Sequence, residues 1–137
     1  MTTITATKGE FVQIINGLFA VQELKGKKFS LTVSKNIVIL QKALKELEEA
    51  GKPSEEFMKL AKEVNELANL NNDDSKSKIE SLEKENTELV QARQDQMDKV
   101  NKMMEEEIEV ELNSLEEKVL PEDITAQQIN NLIKIIK

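Results

Sequence analysis

Two heptad-spaced runs of apolar residues flank a helix-breaking Gly51-Lys52-Pro53, and this pattern constrains the fold of the chain most strongly. Val33, Ile37, Leu40, Leu44 and Leu47 advance by alternating four- and three-residue steps, which puts them on one stripe of a helix. Beyond the break, Phe57, Leu60, Val64 and Leu67 repeat the spacing. Glycine suits the left-handed position that follows a helix, and proline cannot continue one. A helix from about Ser30 or Ser34 to Ala50 and a second capped by Ser54 are therefore predicted to form an antiparallel hairpin.

Upstream, Ile4 and Ala6 alternate with Thr3, Thr5 and Thr7, the period of a strand. Thr7-Lys8-Gly9-Glu10 reads as a capping box opening a strongly apolar helix that runs to about Leu24, with Gly26 marking its stop. Downstream, Asn71-Asn72-Asp73-Asp74 is a polar turn. Ser77-Lys78-Ile79-Glu80 then repeats the capping-box pattern and starts a long helix to about Glu106. Its seam is Ile79, Leu82, Leu89 (or Val90), Met97, Val100 and Met104, a coiled-coil-like stripe for an oligomer or another partner. Asn86 and Arg93 interrupt the seam. They are read as facing solvent, the alternative being that they fix register.

The period then changes. Ile108-Glu109-Val110-Glu111-Leu112 alternates strictly and reads as a strand pairing with residues 2–7, so that the two ends of the chain meet. The competing reading runs the helix on to Leu115, since Glu and Leu favour helix. Thr125-Ala126-Gln127-Gln128 is a further capping box, flanked by Ile124 and Ile129 at staple positions. Ile129, Leu132, Ile133 and Ile136 form the apolar face of a docked terminal helix. The expected fold is mainly α with five helices in a single domain over residues 1–137. Residues 1–70 supply a strand, a helix and the hairpin, 75–107 the long acidic helix, and 108–137 a strand and the capped C-terminal helix. A small two-stranded β ribbon joins the termini.

The chemistry available is narrow. The chain has neither Cys nor His, so thiolate chemistry, the commonest general base and the commonest metal ligand are all missing. No enzyme, cofactor or metal site is expected. Glu105, Glu106, Glu107, Glu109 and Glu111 read as a solvated acidic face, because neighbouring residues on one element point in different directions. Asn72-Asp73-Asp74 lacks the glycine and terminal glutamate of a calcium loop. Met97, Met103 and Met104 read as core filler before interface.

Charge divides the chain. Residues 1–45 hold seven lysines against Glu10 and Glu23, a net +5, so the remainder carries −12 of the overall −7. An acidic body with four aromatics, all Phe, disfavours nucleic-acid binding. Lys25, Lys27 and Lys28 form a basic turn, the candidate anion- or partner-binding loop, which leaves a small nucleotide ligand open. No apolar run reaches membrane-spanning length, and Met1–Thr7 lacks the order of a secretion signal, so a cytosolic protein is expected.

The order of these features resembles a family of small, uncharacterised proteins encoded by tailed bacteriophages. The resemblance rests on the short N-terminal strand, the apolar first helix, Lys25-Gly26-Lys27-Lys28, the acidic helical middle, and Leu120-Pro121-Glu122-Asp123-Ile124-Thr125 leading to Ile133–Lys137. It spans most of the chain, its sequence-specific part being the closing segment. It implies a viral origin and action in the host bacterial cytoplasm, and it carries no site residues. The functional expectation is a phage accessory or assembly factor that binds phage or host protein through helical surfaces and forms a homo-oligomer. The alternative is an inhibitor of host antiviral defence, acting by nucleic-acid mimicry or by sequestering a nucleotide signal.

Overall fold

The computed structural model describes all 137 residues. It is mainly α, 72% helical, with one small antiparallel ribbon. In chain order the elements are β1 (Thr2–Thr7), α1 (Lys8–Val21), α2 (Lys27–Ala43), α3 (Lys45–Gly51), α4 (Glu55–Leu70), α5 (Asp73–Glu85), α6 (Thr87–Met104), β2 (Glu107–Leu112) and α7 (Ala126–Leu132). The chain packs as two compact units. The first contains Met1–Glu48 and Lys102–Lys137, the second Glu49–Asn101.

The first unit is built around the two chain ends. β1 and β2 pair antiparallel with Ile4 opposite Val110 and Ala6 opposite Ile108, so the expected ribbon forms and the helical alternative for 108–112 does not. Period-2 alternation puts Ile4, Ala6, Val110 and Leu112 on the buried face, while Glu107, Glu109 and Glu111 stay in solvent. The Thr7 hydroxyl accepts from the Glu10 amide and starts α1. The other half of that capping box is absent, because the Glu10 carboxylate accepts from Lys134 Nζ at 2.7 Å.

α1 lies at the centre, with Phe11, Leu18 and Val21 wholly buried. It packs on α2 through Phe29, Val33 and Leu40 and on α7 through Leu132. Gly17 permits the second contact: a Cβ there would sit 3.0 Å from Asn131 Cβ and 3.3 Å from Leu132 Cδ2. Gly17→Ala is therefore expected to destabilise by about 1–2 kcal/mol, the overpacking outweighing a gain in helix propensity of ~1 kcal/mol. An unchanged denaturant midpoint would show that the α1–α7 contact yields.

The tail is docked, as its apolar content requires. The capping box at Thr125 and Gln128 forms in both directions. The face differs from the predicted one. The last turn tightens to 3-10 geometry over Ile133–Ile135, which buries Leu132 and Ile135 and leaves Ile133 57% exposed. Backbone bonds between Leu115 and Ile135, and between Lys137 and Leu115, both 2.8 Å, sew the terminus down.

Helix α2 begins at Lys27, earlier than Ser30 or Ser34. Gly26 takes φ +137°, a conformation an L side chain resists, and so starts this helix instead of ending the previous one. The stripe Val33, Leu40, Leu44 and Leu47 is buried as read, with Ile37 at its edge. The residue the pattern missed is Asn36, wholly buried beside that stripe. Its Oδ1 accepts from the Asn113 amide at 2.8 Å and its Nδ2 donates to the Asn113 carbonyl at 2.9 Å. The pair supplies, at the end of β2, the backbone partners that no third strand provides.

In the second unit the hairpin forms one element later than predicted, between α4 and α5. Its turn is made by two asparagines. Asn71 closes α4 in the left-handed region (φ +46°), and Asn72 caps α5 through a reciprocal box with Ser75. Helix α5 therefore starts at Asp73 and not at Ser77. Ser54 caps α4 as expected, accepting from the Phe57 amide.

Gly51 is not left-handed; it is the last residue of α3. The orphan carbonyls at that helix end are met from α6 instead. Arg93 donates to the Gly51 carbonyl at 2.9 Å, and Gln96 Nε2 donates to those of Ala50 and Lys52. Arg93 is thus half-buried and engaged, not facing solvent, and its guanidinium also lies 5.6 Å from the Phe57 ring centroid. The long acidic helix is interrupted at Asn86 (φ −113°, ψ 29°), whose side chain donates to the Leu82 carbonyl. Backbone bonds run across the interruption, from the Asn86 amide to Leu82 and from the Val90 amide to Asn86.

Candidate functional surface

The second unit is poor in core. Of all the buried apolar side chains, only Leu60 and Val100 belong to it. Phe57, Val64 and Leu67 on α4, Ile79 and Leu82 on α5, and Leu89 and Met97 on α6 are all half-exposed. Met58 (54%), Leu70 (63%) and Val90 (39%) stand further out. Between α4 and the α5–α6 segment lies an open groove of about 470 Å³, walled by Phe57, Leu60, Ala61, Val64, Ala68 and Val90 with Asn65 and Glu83 at its edge. Helical periodicity makes this stripe, and the asparagine turn folds α4 alongside α5.

The predicted seam is thereby divided. Ile79 and Leu82 lie on α5 before Asn86, and Leu89 and Met97 on α6 after it. These four remain partly accessible. Val100 is buried and within van der Waals reach of Gly51, while Met104 belongs to the first unit and packs against Gly9. Val100 is therefore covered, while Met104 is half-exposed like the other four.

Lys25 lies in the turn, and Lys27 and Lys28 in the first turn of α2; all three are exposed. No side chain caps this helix start. The basic character does not end at the turn but runs the length of α2. Lys35 and Lys42 follow, every lysine is exposed, and the helix contains no Asp or Glu. Leu31 (53%) and Val38 (51%) lie exposed between them. Lys28, Leu31, Lys35, Val38 and Lys42 step by three and four residues, so heptad spacing applied to the outer face would have revealed this stripe.

The acidic run contributes one structural ion pair. Glu106 accepts from the nearly buried Lys8 at 2.8 Å, where the Lys8 amide also continues the ribbon by bonding the Glu106 carbonyl. No three carboxylates converge in a way that would hold a metal ion. The Glu116 carboxyl is held below its ordinary value by a hydrogen bond and charge from Lys118, which is raised in turn; both groups are exposed. No helix is long and apolar enough to cross a membrane.

Fold and surface together define a mainly α protein with a ribbon-closed core unit and a thinly packed, acidic helical unit. Set against models of protein families, curated proteins and solved structures, the chain matches none.

Proposed function

We propose that the chain is a non-enzymatic interaction protein of a tailed bacteriophage, an accessory or assembly factor whose second unit binds protein through its open helical seam. It works inside the bacterial host and self-associates. One observation carries this reading: a helical unit spanning Glu49–Asn101 buries two apolar side chains and leaves the rest of its stripe half-open. Ordering each residue costs about 1–2 kcal/mol, while a fully buried aliphatic side chain returns only about 1.5–3 kcal/mol. A partner that covers the seam supplies the missing burial, as helix-in-groove recognition does.

Val64→Asp with Leu89→Asp tests this reading. Both residues are already part-exposed, so the fold of the first unit is expected to be retained, with its α1 amides protected as in wild type. Self-association, followed by sedimentation velocity, is expected to weaken at least about tenfold, as follows from placing desolvated carboxylates in an apolar interface. Unchanged association would remove the seam from the account.

Inhibition of host defence, by nucleic-acid mimicry or nucleotide capture, is the alternative proposal. Its sign would be a thermal shift with cyclic nucleotides that disappears when Lys25, Lys27 and Lys28 are neutralised.

A further inference from the structure

The α2 stripe and the second unit are complementary in charge, spacing and polarity. Helix α2 carries four lysines and no acid; Glu49–Asn101 carries thirteen carboxylates against eight basic side chains. Leu31 and Val38 are seven residues apart, about 10.5 Å along the helix. On the groove, Phe57 and Val64, and also Ala61 and Ala68, are separated by the same seven residues. Two exposed apolar side chains on one helix therefore share the seven-residue spacing of the groove's apolar lining, with lysines beside them and Glu83 among the lining residues.

We propose that the occupant of the groove is the outer face of α2 from a second copy of this chain. The proposal rests on the self-association assigned above and specifies its surfaces. Charge decides the arrangement. Two α2 faces brought together would oppose lysine with lysine, and two second units would oppose one acidic surface with another, so both symmetric pairings are repelled. Pairing α2 with the second unit satisfies both partners. The contact is then heterologous: each copy presents one face of each kind, so copies add head to tail into a ring or a chain of subunits. An anionic membrane or nucleic acid would meet the lysines but would also repel the acidic remainder of the molecule.

The test uses two charge-reversed full-length variants, Lys35→Glu with Lys42→Glu, and Glu83→Lys with Glu56→Lys, Glu56 being the exposed residue directly before Phe57 on α4. All four side chains are exposed, and circular dichroism and thermal unfolding check that the fold is kept. By sedimentation velocity each variant alone is expected to be monomeric at concentrations where wild type associates. An equimolar mixture is expected to associate again, because each variant retains the face the other lacks and the two reversed faces are once more opposite in charge. Wild-type association should also weaken at least about tenfold as ionic strength rises from ~0.1 M to ~1 M and the screening length falls from ~10 Å to ~3 Å. Lysine-reversed protein that associates like wild type would overturn the proposal. If the Val64→Asp and Leu89→Asp variant fails to associate in that case, the seam reading stands and only the identity of its occupant falls. A monomeric wild type at every concentration removes both.

Discussion

Replacing Asn36 with Leu is expected to destabilise the protein by about 2–4 kcal/mol, although the substitution puts an apolar side chain into an apolar core. Asn36 is wholly buried, and both ends of its amide bond the Asn113 backbone. Leu removes both bonds and leaves the Asn113 N–H and C=O without those partners, each costing about 1–3 kcal/mol when desolvated. Asn113 is itself half-exposed, so water recovers part of that cost. Asp is expected to be no remedy: it can accept from the Asn113 amide but cannot donate to its carbonyl, and it brings a charge into the core. Chemical denaturation reads the result. A loss below about 1 kcal/mol would mean that the strand end finds other partners.

Phe11→Ala is expected to cost about 3–5 kcal/mol, while Phe57→Ala costs no more than about 1–2 kcal/mol, although the two substitutions remove the same atoms. Phe11 lies at the centre of the first unit with no exposed surface, so its removal leaves a cavity that the ribbon and helices around it cannot fill. Phe57 is half-exposed at the groove, where its loss opens no closed void and sacrifices mainly the Arg93 contact. The order is expected to invert for association, with Phe57→Ala weakening it and Phe11→Ala leaving it intact under conditions where the variant stays folded. Equal stability losses would mean that the second unit is as well packed as the first.

The contrast follows what the residue pattern could and could not reveal. Local signals were legible where one residue type settles the backbone: Ser54 and the Thr125–Gln128 box cap their helices, and strict alternation at 108–112 outweighed the helix propensity of Glu and Leu because β1 waited with the matching face. Boundaries moved where partners distant in sequence decide them. The end of α3 was assigned to a left-handed Gly51, yet side chains some forty residues away on α6 cap it. Glycine and proline are stronger local punctuation than Asn71-Asn72, so the pattern points to a hairpin at Gly51–Pro53, while the real turn takes one left-handed residue and one cap. The mainly α fold, the ribbon joining the termini and the docked tail were all readable.

The candidate surface was readable only in part. A heptad stripe identifies which residues share a face but not whether the chain covers that face itself. Val100 turned inward, while Ile79, Leu82, Leu89, Met97 and Met104 stayed half-exposed. The lysines of the turn were visible as a cluster. Their continuation along α2 was not, because the inward stripe of the same helix dominated its pattern.

The central claim is that the open seam of the second unit exists to be covered. Light scattering on the purified chain across a wide concentration range tests it most directly. The account predicts a mass that climbs above the 15.5 kDa of one chain as concentration rises. A mass fixed at one chain throughout would contradict it.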